Sequence, residues 1–133
     1  TTATTLPSRI PVNALREGAK KLGYRHHIGV SQSKDSFYGE VERPRMPMAA
    51  HLAERWNAFI AGGAVCSEME SAALFILSSI YRKRAGGVML VINEFDLAEE
   101  SESQEKHMNE FDPESVIKVA VEALKILITE DRK

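Results

Sequence analysis

The sequence predicts an α/β layer fold, and three observations carry that prediction. Helix-like and strand-like segments alternate along the chain. Val88-Met89-Leu90-Val91-Ile92 is a continuous apolar run, the pattern of a strand buried on both faces, which favours parallel sheets. Cys66-Ser67-Glu68-Met69-Glu70-Ser71 stands where an apolar, glycine-flanked run gives way to a helical one.

Taken in order, Thr1 to Pro11 reads as a loop, rich in Thr and interrupted by Pro7 and Pro11. Val12, Leu15, Ala19 and Leu22 recur at helical spacing, with Asn13 as the expected cap and Gly23 as the stop. Tyr24 to Gln32 reads as the first strand, because Ile28 and Val30 alternate with Gly29 and Ser31. Ser33 to Pro47 is polar, holds Gly39, Pro44 and Pro47, and reads as a loop. Met48 to Ile60 is a helix with Leu52, Trp56 and Phe59 or Ile60 on one face; Gly62-Gly63 ends it, and Ala64 to Glu68 is a short strand.

Ser71 to Arg82 reads as a helix apolar nearly all round, hence buried in a core or an interface. Arg82, Lys83 and Arg84 suit its C-terminal dipole. Gly87 to Asn93 is the expected buried strand, and Glu94 to Glu110 an acidic loop. Asp112-Pro113-Glu114 is a helix start, with Asp as cap and Pro in the first turn. That helix runs to about Glu130, with Ile117, Ala120, Val121, Leu124, Leu127 and Ile128 as its expected buried face.

With 133 residues there is room for one domain with a real core, and 44% hydrophobic and 27% charged residues are ordinary for a globular chain. A net charge of -2 gives no basic field for nucleic acid. No apolar run approaches the roughly 20 residues that span a bilayer, so no membrane partner is expected. The single cysteine, Cys66, leaves no internal disulfide and fits a reducing compartment; the expected location is the cytoplasm. No metal is expected, because His26, His27, His51 and His107 match no ligand spacing. A start at Thr1 without Met suggests a processed or truncated chain.

In an α/β fold, sites gather at the carboxyl ends of strands. Three places qualify: after Gln32, at Glu68 to Glu70, and after Asn93. Glu68 and Glu70 are two apart, so on extended backbone they point to one face. A close pair of carboxylates accepts hydrogen bonds and suits the hydroxyls of a sugar, or a metal. The alternative reading is a solvated strand end with Met69 in the core.

Glu68-Met69-Glu70-Ser71-Ala72, followed by an apolar helix, resembles the ribose-binding segment of the nucleoside phosphorylase superfamily. Gly29-Val30-Ser31-Gln32-Ser33-Lys34-Asp35-Ser36-Phe37-Tyr38 resembles its upstream base-site segment, and Arg84-Ala85-Gly86 with the strand after it extends the likeness. The uridine phosphorylase branch is the nearest. The resemblance runs from about Leu15 to the C-terminus and covers the C-terminal half of a family member. It implies a layered fold, a mixed sheet flanked by helices, that is partial in this chain, with residues 1–133 as one domain.

The resemblance also implies roles. Glu70 holds the ribose hydroxyls and is the catalytic carboxylate, Met69 lies under the sugar, and Glu68 supports them. Phe37 packs on the base, with Tyr38 the lesser candidate. Val91 and Ile92 wall the base site. Arg43 or Arg45 reads the base edge, while Glu40 or Val41 stands where the branch has Gln; Glu40 then accepts from a donor-bearing base or is simply solvated. Glu94 reads as a solvated loop residue; for a nucleosidase of this fold, Glu94 or Asp96 is the candidate general acid, and Phe95 to Asn109 is a lid. The implied partners are a nucleoside and phosphate, the latter a co-substrate with no organic cofactor, and a homo-oligomer, hexameric in the family. The family's Gly-rich phosphate loop comes from its N-terminal half, and no such loop occurs in this sequence. The implied reaction is phosphorolysis of a nucleoside, uridine first, to base and ribose 1-phosphate. The alternatives are a purine nucleoside phosphorylase or nucleosidase of the same fold, or a truncated homologue without turnover.

Overall fold

The structure, a computed structural model, describes residues 9–92 and 112–132. They group into two compact units. One gathers His27–Ala85, the other Ser8–His26 together with the described part of Gly86–Lys133.

The first unit holds the sheet. Strands β1 (Val30–Ser33) and β2 (Ala64–Glu68) pair in parallel, with Ser31 opposite Cys66, Gln32 opposite Ser67 and Ser33 opposite Glu68. Between them the chain forms a short helix α1 (Tyr38–Val41), a 3₁₀ turn (Arg43–Arg45) and helix α2 (Ala49–Ala61). Helix α3 (Ser71–Ile80) follows β2 directly. Helix α2 packs on β2 and α3 on β1, the crossover arrangement that parallel strands require. The described residues form the expected α/β class, helices flanking a sheet; the sheet, expected to be mixed, is a parallel pair among them.

Several expectations need correction. The first strand is four residues, not the nine from Tyr24 to Gln32, because only its end finds a ladder partner in β2. Val88 to Ile92 is not a strand. An apolar run becomes one only where a neighbour takes its backbone N–H and C=O groups, and none does among the described residues. Helix α3 is not buried all round: Ser71 and Phe75 are buried, whereas Leu74, Leu77 and Ile80 are exposed. The segment expected as a loop after Ser33 carries α1 and the 3₁₀ turn.

The second unit is a helix pair. Helix Arg9–Lys21, here αN, packs along helix Glu114–Asp131, here αC. Helix αN starts before the expected cap Asn13, since Pro11 falls in the first turn, where its missing N–H costs nothing. The pair closes on small residues. Ala14 and Ala19 on αN and Val119 and Ala123 on αC are all buried, and a Cβ on Gly18 would lie 3.1 Å from the Val119 carbonyl oxygen. Glu122, also buried, takes Lys21 in an ion pair, and that ammonium holds its carboxyl below the usual range. The buried face of αC is therefore Val119, Glu122 and Ala123. Of the expected face, Ile117, Val121, Leu124 and Ile128 are exposed, because αN seats on the narrower, small-residue stripe beside them. The αC start is as expected: Asp112 Oδ1 accepts the Glu114 N–H at 2.9 Å.

Candidate functional site

Parallel pairing puts the carboxyl ends of β1 and β2 side by side, and the two segments singled out in the sequence leave the sheet there. The Lys34 N–H donates to the Glu68 carbonyl at 2.8 Å, extending the ladder one residue beyond β1. The Ala72 N–H donates to Ser33 Oγ at 3.2 Å and ties the start of α3 to the same end.

Glu68 is partly buried, and its carboxylate is not free. Its Oε2 accepts the Glu70 N–H at 2.8 Å and the Ser71 N–H at 2.7 Å, while Ser31 Oγ donates to Oε1 at 3.3 Å. A helix leaves its first N–H groups without intrahelical partners, and a carboxylate there satisfies them and meets the positive end of the dipole. Partial burial works to raise the Glu68 pKa. The backbone N–H groups of Ser71 and Glu70, then the Ser71 and Ser33 hydroxyls, outweigh it and hold the carboxyl below its ordinary range.

Glu70 presents its carboxylate at the surface at the start of α3, Oε2 accepting the Met69 N–H at 3.0 Å. Met69 is exposed, which overturns the reading of it as a core residue. A carboxylate and a thioether thus stand in the open beside a carboxylate committed to the backbone. Cys66 is half-buried, and burial first, then the Glu68 charge, pushes its thiol up, against thiolate formation.

On the β1 side, Phe37 is 49% exposed and meets Tyr38 edge to face, ring centroids 5.4 Å apart. Glu40 is not solvated. It is 8% exposed, Gln32 Nε2 donates to its Oε1 at 2.6 Å, and Lys34 Nζ lies 3.2 Å from Oε2. Ser67 Oγ also donates to Oε2, at 3.2 Å. Arg43 lies over the Trp56 ring, 5.3 Å from its centroid, and Arg45 pairs with Glu42 at the surface. The structure thus brings Phe37, Glu40, Glu68, Met69 and Glu70 to adjoining strand ends. Val91 and Ile92 belong to the second unit, where both are exposed. Glu94, Asp96, His107 and the segment from Phe95 to Asn109 lie outside the described residues.

Gln32, Lys34 and Ser67 complete this cluster without having been marked by periodicity. The available signal was position: a Lys between a strand end and an aromatic pair, and a Ser directly before Glu68. Among the described residues, no group of three His, Cys, Asp or Glu could hold a metal, and no helix is long and apolar enough to cross a membrane.

The family profile described as Phosphorylase superfamily matches residues 3–130. This chain belongs to that superfamily. Its relatives include a uridine phosphorylase of Treponema pallidum, 47% identical over 119 residues, which are 89% of this chain and 45% of that protein. A uridine phosphorylase of Thermococcus kodakarensis is 38% identical over 68% of this chain and 35% of its own length. One of Escherichia coli is 32% identical over 86% of this chain and 46% of its own length. The chain spans less than half the length of these curated relatives.

Proposed function

We propose that this chain supplies the base and ribose part of a nucleoside phosphorylase active site, with uridine the leading substrate. The observation that carries this is the parallel pairing that sets the Phe37 segment beside Glu68-Met69-Glu70 at one end of the sheet. Phosphorolysis cleaves the bond between the base and the ribose. The electron pair of the glycosidic bond leaves with the base, so the sugar passes through an oxocarbenium-like state, and a phosphate oxygen bonds to its anomeric carbon. A surface carboxylate that accepts from the ribose hydroxyls stabilises that positive charge, and the exposed Glu70 is the residue assigned to it in this reading. Glu68 holds the turn that presents Glu70. Phe37, half exposed, is the aromatic that packs on the base, a contact worth about 1–3 kcal/mol.

Phosphate is the co-substrate, with no organic cofactor, and its site belongs to the part of the relatives' length that the matched residues do not span. A homo-oligomer, hexameric by family likeness, a cytoplasmic location and a role in nucleotide salvage complete the reading. The test is turnover by the full-length protein of uridine, and of inosine in parallel, followed as free base and ribose 1-phosphate with and without phosphate. Phosphate-dependent release of uracil is the expected result. Release that ignores phosphate would indicate hydrolysis, and no release from either nucleoside would remove the enzymatic reading.

A further inference from the structure

Lys34 stands where three segments of the first unit meet. Its backbone N–H donates to the Glu68 carbonyl at 2.8 Å. Its Nζ donates to Ser67 Oγ at 3.2 Å, lies 3.2 Å from Glu40 Oε2, and sits 5.6 Å from the centre of the Phe37 ring. Its side chain and that of Glu40 are each 8% exposed. One ammonium therefore grips α1 at both ends of a single turn, the ring at its start and the carboxylate three residues on. The turn itself is closed by the Glu40 N–H donating to the Phe37 carbonyl at 3.0 Å.

A buried ion pair is a poor source of stability, since desolvating both charges offsets most of their attraction. What it fixes here is geometry. Gln32 and Lys34 turn both Glu40 oxygens inward, Ser67 adds a donor to one of them, and a cation below an aromatic ring holds the ring's attitude. The residues so held belong to the two segments that leave the sheet together, one leading to Phe37 and the other to Glu68-Met69-Glu70.

We propose that Lys34 is a positioning residue for nucleoside recognition, acting through the Phe37 ring and Glu40 to set the base-side segment against the Glu68-Met69-Glu70 turn. The proposal rests on the nucleoside reading given above. It assigns Glu40 to the scaffold, with the base met by Phe37.

The test is a mutant cycle on the full-length protein with uridine, read as Kd by calorimetry and as KM and kcat with phosphate. Lys34→Met keeps length and removes charge; it raises Kd and KM about tenfold, the scale of a small misplacement of a binding group, with kcat less affected. Lys34→Met/Glu40→Leu removes both buried charges, so no charge is left unpaired if the single variant folds poorly. Phe37→Leu raises Kd about tenfold in the wild type. In either Lys34 background it raises Kd less than about threefold, because the ring is already misplaced. Lys34→Arg, which keeps a cation, recovers part of the affinity. An equal cost of Phe37→Leu with and without Lys34 overturns the proposal and leaves the nucleoside reading standing. Failure of the wild type to bind or turn over any nucleoside overturns both.

Discussion

The Glu68 carboxylate accepts the Ser71 N–H at 2.7 Å, so the residue that ends β2 also caps α3. Strand, turn and helix are thereby locked by one side chain, and the exposed Glu70 is presented from a rigid base. Glu68→Ala removes the acceptor for two backbone N–H groups. It is expected to cost about 1–2 kcal/mol, with the Gln variant losing less because its amide oxygen still accepts. Chemical denaturation of the two variants against wild type measures this, and an unchanged midpoint for Glu68→Ala would refute the capping role.

The same contact makes stability depend on pH. The folded-state pKa of Glu68 lies below its unfolded value, so the unfolded chain binds more protons between the two. Its contribution is complete above the unfolded value, about 4.3, and is lost as pH falls through the folded one. Asp35, held low chiefly by its hydrogen bond from Arg55, and Glu122, held low by Lys21, act in the same direction. Stability is expected to drop as pH falls from about 5 toward 3. The Glu68→Gln variant should show a shallower fall over that window, and parallel curves would exclude Glu68 as a source.

Replacing Glu70 is expected to act on turnover, not on stability. Its carboxylate is exposed and no helix N–H depends on it, so Glu70→Ala is expected to leave stability within about 0.5 kcal/mol. If Glu70 holds the ribose in the transition state, kcat/KM for uridine falls by about a hundredfold, the scale of losing one preorganised partner. Thermal melting and steady-state kinetics on the same preparation separate the two. A melting temperature that falls while turnover survives would move Glu70 from the site to the scaffold.

Much of this was legible because it is local. Ala64 to Glu68 is bounded by Gly62-Gly63 and a helix start, and its limits could be read directly; α2 begins and ends within a residue of expectation. The strand ends and the carboxylate pair that mark the site were visible for the same reason. What could not be read depends on partners distant in sequence. Val88 to Ile92 has the composition of a strand, but a strand exists only where another offers a ladder. The face of αC was displaced because αN selects the stripe it can approach most closely, which composition does not reveal. Glu40 looked like a solvated or base-facing carboxylate; its pairing with Lys34 and Gln32 follows no helix or strand period.

Helices αN, α2 and α3 each turn off through a residue with positive φ. Two of these are glycines, Gly23 at +75° and Gly63 at +85°, but α3 uses Arg82 at +53°. The Arg82 N–H donates to the Ser79 carbonyl at 3.1 Å and the Lys83 N–H to that of Ser78 at 2.7 Å, the paired bonds that close a helix around a left-handed residue. A side chain there crowds its own carbonyl by about 1 kcal/mol, a strain that glycine relieves while gaining some unfolded-state entropy. Arg82→Gly is therefore expected to be neutral or to stabilise by up to about 1 kcal/mol, whereas glycine at most helical positions destabilises. A rise or no change in melting temperature supports this, and a clear fall would show that the Arg82 side chain contributes more than the strain it carries.

Gly18 lies against the backbone of αC. A Cβ there would lie 3.1 Å from the Val119 carbonyl oxygen and 3.3 Å from the Ala123 nitrogen, both backbone atoms that cannot swing aside. In an exposed helix, alanine would improve on glycine by about 1 kcal/mol. At this position the contact reverses the sign. Gly18→Ala is expected to be neutral to mildly destabilising, and Gly18→Val to cost about 1–3 kcal/mol by forcing the helices apart. Denaturation midpoints for the two variants decide the packing claim. Valine tolerated as well as alanine would mean that the two helices do not meet at this glycine.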